Sequence, residues 1–266
     1  MRITYENYQF WIFVIGGGLL ALAHGRVLPR ATPGVAPYEL ALEVDPGYAI
    51  GHYNVGVTAQ AAGQLEAAHA HYRAALAADP HDHTPCFNDA VVARRLGKLD
   101  DALEAARCAL LYDDTAAVVE LLGHLLVARR EYQEAVLVLE RALRMRPEHV
   151  TIRIDLGAAY AGASRLVDAE ATLRVAVVSR PDLAAAWFNL GLVVWKRGKA
   201  SEAYESFAAA VAADPMLITA MGHLASLDIE AGRHTAASAW LDRIIAIDPA
   251  NQRATMLRAQ LGTAGR

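Results

Sequence analysis

Hydrophobic positions fall in blocks along most of the chain. An apolar helical run of about 13 residues is followed by a short break, then by a second helical run that stops at an Asp-Pro or Arg-Pro step. Proline lacks a backbone N–H and restricts the residue before it, so the second run ends there. The break is often glycine: Gly63, Gly97, Gly198 and Gly232. Small residues recur in register at Gly56, Ala90, Gly123, Gly157, Gly191 and Ala225, with successive steps of 34, 33, 34, 34 and 34. Ala68, Ala102, Ala135, Ala169, Ala203 and Ala237 keep the same steps. Ala75, Ala109, Ala142, Ala176 and Ala210 do so too, with Ile244 as the exception, and the prolines 46, 80, 147, 181, 215 and 249 follow with Asp114 as theirs. The period defines six copies, 49–82, 83–115, 116–149, 150–183, 184–217 and 218–251.

The small residues mark where two antiparallel helices cross closely, since bulky side chains there would push the pair apart. Larger residues fill the spaces between: Tyr53, Tyr72, Leu173, Trp187, Phe207 and Leu241. One helix pair cannot bury its apolar faces alone, but stacked pairs bury a continuous core. The segment 37–48, PYELALEVDPGY, reads as the second helix of a partial repeat, with Ala41 and Pro46 in register. At the other end, 252–266 reads as an amphipathic capping helix and tail, with Ala254, Leu257 and Leu261 on one side.

The set Trp187, Leu190, Gly191, Gly198, Ala203, Phe207, Ala210 and Pro215 resembles the tetratricopeptide repeat pattern, and the resemblance holds over 49–251. It implies an all-α, right-handed α-solenoid of about six helix-turn-helix repeats, with a concave groove lined mainly by the first helix of each pair. On that pattern the partner-binding groove includes Tyr53, Asn54, Phe87, Asn88, Glu120, His124, Asp155, Phe188, Asn189 and His223, with Trp195 at its rim. Asn54, Asn88 and Asn189 share one repeat position. An amide offers donor and acceptor together, so a row of them can hold an extended peptide backbone. Leu121, Asp155 and His223 interrupt the row, and capping of nearby turns is the competing reading. The lysine and arginine set by which chaperone adaptors of this family clamp a terminal carboxylate is absent.

Residues 1–28 differ from the rest. The stretch from Asn7 to Ala23 carries no charge and is strongly apolar from Phe10 onward. As an anchor, a helix over 8–27 spans about 30 Å, enough to cross a bilayer. Tyr5, Tyr8 and Trp11 then sit at one interface and Arg26 and Arg30 flank the other. As a signal peptide, the run has a small-x-small site at Ala21-Leu22-Ala23, with cleavage after Ala23. Arg26 and Arg30 against Arg2 and Glu6 favour repeats on the cytoplasmic side. The cleavage-like site favours a periplasmic or secreted domain. Residues 29–36, with Pro29 and Pro33, read as a semi-stiff linker.

Composition changes this picture little. The chain has 266 residues, 55% hydrophobic and 20% charged, with net charge −4 and no basic stripe, which argues against nucleic acid as a partner. Cys86 and Cys108 are too few for a disulfide framework and read as buried thiols in one copy. His69, His71, His81 and His83 cluster in sequence; His-Asp-His at 81–83 could ligate zinc in a loop, but residues two apart on a helix point to different faces, so His69 and His71 cannot both join it, and a polar surface with an inter-repeat turn is the competing reading. No nucleophile–base set, phosphate loop or zinc motif is present, and Gly16-Gly17-Gly18 lacks the Lys-Ser/Thr of a phosphate loop. The expectation is a non-catalytic chain without cofactor or metal. Its partners are other proteins, met as extended segments or as membrane-complex subunits, with the membrane contacted through residues 8–27.

Overall fold

The structure, a computed structural model, describes residues 2–5, 8–15, 18–23, 26–27 and 37–264. It divides into two compact units, Met1–Leu125 and Leu126–Arg266. The first holds α1 (Pro37–Val44), α2 (Ala49–Ala61), α3 (Leu65–Ala78), α4 (Thr84–Arg95), α5 (Leu99–Tyr112) and most of α6 (Ala116–Arg129). The second holds the end of α6, then α7 (Tyr132–Met145), α8 (Val150–Gly162), α9 (Leu166–Ser179), α10 (Ala184–Lys196), α11 (Ala200–Ala213), α12 (Ile218–Glu230), α13 (His234–Ile247) and α14 (Gln252–Ala264). Over 37–264 the architecture is the all-α repeat array expected from the periodicity. Within each unit, pairs such as α2/α3, α4/α5, α8/α9, α10/α11 and α12/α13 pack together and then against the next pair.

The short connection inside each copy has one geometry. Gly63, Gly97, Gly198 and Gly232 have φ between 72° and 79°. At the same register, copies three and four place Arg130 (φ 67°) and Ser164 (φ 63°) in the left-handed region. The residue after each returns its N–H to a carbonyl five positions back: Gln64 to Ala59, Lys98 to Ala93, Glu131 to Leu126, Arg165 to Tyr160, Lys199 to Val194 and Arg233 to Asp228, at 2.7–3.0 Å. This bond closes the helix end and turns the chain into the second helix.

The close crossing is direct. A Cβ on Gly191 would stand 2.7 Å from the Phe207 ring, on Gly157 2.5 Å from Leu173, and on Gly56 2.8 Å from Tyr72. Tyr72, Leu173 and Phe207 are fully buried there. The helix α14 starts 34 residues after α12 and buries Ala254. It therefore covers the last pair as the first half of a further copy.

Two expectations need correction. The apolar segment over 8–27 does not form one helix: Arg2–Tyr5 (β1), Tyr8–Ile15 (β2), Gly18–Ala23 (β3) and Arg26–Val27 (β4) make an antiparallel sheet in the order β1-β2-β3-β4, with Phe10 opposite Ala23 and Ile15 opposite Gly18. The run YQFWIFVI is aromatic and β-branched, types that suit a pleated surface, and glycines at 16–18 weaken any helix through it. Among the described residues no helix is long and apolar enough to cross a membrane. The linker 29–36 lies outside the described residues. The thiols are the second correction. Cys86 on α4 and Cys108 on α5 form a disulfide, because the crossing of that pair brings their Cα atoms to 5.9 Å.

The turn geometry and the crossing each predict a stability change, checked by urea unfolding. Ser164→Gly removes left-handed strain from a side chain and raises stability by about 1 kcal/mol. Gly191→Val forces a branched side chain into the Phe207 ring and lowers it by at least about 1–3 kcal/mol.

Candidate functional site

All eleven groove residues expected from the repeat pattern are half-buried, neither sealed in the core nor fully in water. The geometry separates them by what their side chains already do. In the first unit, Asn54 on α2 donates its amide to the Ile50 carbonyl at 2.8 Å, one turn back in its own helix. That donor is committed to the backbone of its own helix, away from any turn. Asn88 on α4 donates to the Tyr53 hydroxyl at 3.3 Å, so one repeat position reads the next through a side chain. Tyr53 in turn tilts against the buried Tyr72 ring at 6.0 Å. Phe87 packs beside the Cys86, Ala109 and Val118 cluster. Glu120 and His124 stand on α6, both half-buried.

In the second unit the expected residues converge. His223 on α12 stacks on Phe207 at 4.8 Å, meets Phe188 of α10 at 5.7 Å and takes Trp195 edge-on at 5.2 Å. Asn189 lies one residue after Phe188 and is half-buried, while Asp155 stands on α8. Beside this aromatic cluster opens a cavity of about 250 Å³. Trp195, Thr219, His223, Ser226, Asn251 and Arg253 are among the residues that line it. Thr219, Gly222, His223 and Ser226 are spaced to share one helix face. Gly222 lies on that face with nothing within 4 Å of where a Cβ would stand, which leaves the floor open. Burial pushes the His223 imidazole below its ordinary 6.5, and the Arg253 charge pushes it the same way. At neutral pH the pocket therefore presents a neutral imidazole beside a fixed guanidinium.

Sequence patterns match the family described as "Tetratricopeptide repeat" over residues 53–117, 120–184 and 194–261. The chain belongs to the tetratricopeptide repeat family. No curated protein matches it. Solved tetratricopeptide structures do. YrrB, described as a TPR protein with an unusual peptide-binding site, is 22% identical with TM-score 0.59, over 70% of this chain and 96% of that one. PilW, a type IV pilus biogenesis factor, is 19% identical with TM-score 0.67, over 79% and 97%. MamA from Desulfovibrio magneticus RS-1 is 22% identical with TM-score 0.55, over 64% and 97%. At these identities the likeness establishes the shared fold.

The charged clusters of this tetratricopeptide chain are structural. Glu170, 1% exposed on α9, is held by Arg174, Arg197 and Lys199. Burial pushes its carboxyl up, but hydrogen bonds from Lys199 and Arg197 outweigh that and hold it below the usual range. Buried Asp228 pairs with Arg233 at 2.6 Å. Buried Asp89 pairs with His69 at 2.6 Å, and the other nitrogen of His69 meets Asp101 at 3.2 Å. Burial raises the Asp89 carboxyl, with His69 pulling the other way. Glu170 and Asp89 join neighbouring helix pairs, Asp228–Arg233 holds the turn of its own pair, and none of them lines the groove cavity. His69 and His71 part company as expected: His71 faces His52, at 3.0 Å.

Sequence reasoning missed Thr219, Gly222, Asn251 and Arg253. The available signal was the 34-residue step from α12 to α14, which places the start of α14 beside the α12 face.

The pH behaviour of His223 follows from its environment. The folded chain binds that proton less readily than the unfolded chain does, so stability falls as pH drops below 6.5 and levels off beneath the folded value. NMR titration of the His223 ring should give a midpoint below 6.5, and Arg253→Ala should move it upward.

Proposed function

We propose that the chain is a non-catalytic, membrane-tethered scaffold or assembly factor that binds partner proteins through the first helices of its repeats. The observation that carries this reading is an open, partly polar cavity in the second unit lined by half-buried Trp195 and His223, with Phe188 packed against His223. An aromatic side chain from the partner fills it. Thr219 supplies a hydrogen bond and Arg253 favours a partner carboxylate, while Ser226 is bonded to the Gly222 carbonyl and Asn251 holds the start of α14. In the first unit, Tyr53, Phe87 and Asn88 offer a second, smaller set of contacts. The asparagine ladder contracts to Asn189 in the second unit, since Asn54 is bonded within its own helix and Asn88 to the Tyr53 hydroxyl. The structural likeness to YrrB and PilW, whose descriptions name peptide binding and pilus biogenesis, supports an interaction or assembly role.

The tether is residues 8–27, on the strength of their uncharged, apolar sequence. In hydrocarbon every backbone group must be satisfied within the segment or a closed barrel, so insertion converts this stretch to helix. Flotation with lipid vesicles that is lost on deleting residues 1–28 would support the tether. An intact mass beginning at His24 would replace it with a processed, secreted module.

A second reading has its own observation. Val167, Ala171, Val175 and Val178 form an exposed stripe along α9, a second helix, with Val167 65% and Val178 81% exposed. Leu137 on α7 is 68% exposed. Apolar surface on second helices suits a structural subunit that docks through its outer face.

The two readings divide on one experiment. Proteins co-purified with the full-length chain from detergent-solubilised membranes are identified by mass spectrometry, for the native chain and two variants. Phe188→Ala with Trp195→Ala should remove the partners at unchanged helicity. If partners persist there and vanish with Val175→Glu and Val178→Glu, the outer face carries the function.

A further inference from the structure

The second copy holds a group of donors that the binding reading does not use. Cys86 is fully buried on the first turn of α4, and His83 stands three residues before it, at the start of that helix. Cys108 reaches across from α5, half-buried, with its sulfur 3.8 Å from Nδ1 of His83. One nitrogen of His83 and both sulfurs lie within 4.8 Å of one another. The His83 ring is stacked on Tyr112, which fixes its orientation. Beside them lies a cavity of about 340 Å³ whose lining includes His83, Cys108, Tyr112, Arg73 and Glu104.

We infer that His83, Cys86 and Cys108 form a redox-gated site for a soft divalent cation of the zinc class, closed by the disulfide and opened by its reduction. Three lines of chemistry meet here. Zinc–sulfur and zinc–nitrogen bonds of about 2.3 and 2.0 Å in a tetrahedron put ligand atoms roughly 3.5–3.8 Å apart. The His83–Cys108 separation already has that value, and the two sulfurs need only part to it once their bond is broken. Two thiolates and a neutral imidazole cancel the charge of a divalent cation, so the centre is neutral where Cys86 is sealed from water. The first turn of a helix favours the thiolate at Cys86. The fourth position faces the cavity and takes a water.

A dithiol reductant gives two electrons and two protons to the Cys86–Cys108 bond and closes to its own disulfide. Metal binding then replaces the two S–H protons, which pass to solvent, with two metal–sulfur bonds. A disulfide oxidant reverses the order: it takes two electrons from the two thiolates and two protons from solvent to become a dithiol, the Cys86–Cys108 bond forms, and the cation is released. The cavity beside this site shares no lining residue with the one beside His223, although Phe87 packs against the Cys86 cluster.

Cobalt is the probe. The full-length chain, reduced with a phosphine and desalted anaerobically, is titrated with Co²⁺ and then Zn²⁺. The expected result is one equivalent bound, with a thiolate-to-cobalt charge-transfer band that zinc abolishes and that the oxidised chain never shows. His83→Ala, which spares the buried sulfur, should weaken binding by at least about tenfold. Cys108→Ser should remove the band. Absence of the band in the reduced native chain would overturn the proposal. So would an unchanged cobalt affinity in His83→Ala, because two cysteines would then bind without the imidazole.

Discussion

The approach of two antiparallel helices across a residue with little or no side chain is the constraint from which the rest follows. At Gly56, Gly157 and Gly191 there is no room for a single added carbon, because Tyr72, Leu173 and Phe207 occupy it. That contact fixes the separation and register of each pair. It also decides which side chains remain outside. Once the eighth position of a copy is pressed against the twenty-fourth, the fifth and sixth positions are left half-buried on the open side of the first helix. The candidate binding surface is a remainder of core packing, and its residues vary while the packing positions repeat.

This difference explains what could be read in advance. Periodicity reports packing, so the helix pairs, the partial first repeat and the covering helix α14 were all legible from spacing alone. The left-handed turns at Arg130 and Ser164 were half-legible. Glycine marked four of the six, and the period pointed to the other two. The cavity was legible only in part. His223 and Trp195 lie on repeat positions, but Asn251 and Arg253 enter from the covering segment, where the repeat pattern assigns no groove role. The Asn54 donor could not be placed by sequence, since an amide facing a groove and one bonded to its own helix share a register. The residues before 28 follow no period, and composition there was compatible with helix or strand. Aromatic and β-branched side chains decided for strand.

The disulfide shows how one copy can depart from the pattern without losing the fold. In three other copies the fourth residue reaches a proline carbonyl six positions back: His52 to Pro46 at 2.9 Å, Trp187 to Pro181 at 2.9 Å, and Arg153 to Pro147. The second copy has Cys86 at that register, and its eighth and twenty-fourth positions are Ala90 and Ala106. The polar tie and the large core plug are both missing there, and the covalent tie is present.

That exchange has a mechanical consequence. Repeat arrays come apart pair by pair from an end, each pair releasing its full contour length. A chain drawn out from its N-terminus would pay out α1, α2 and α3 and then reach a closed loop whose ends are 22 residues apart. About 70 Å of extension, for 22 residues at 3.3–3.6 Å each less the 5.9 Å that the bridge itself spans, is withheld while the loop stays closed. Under tension the oxidised array is shorter than the reduced one by that length, so the state of two sulfurs sets how far anything fastened beyond them can be moved.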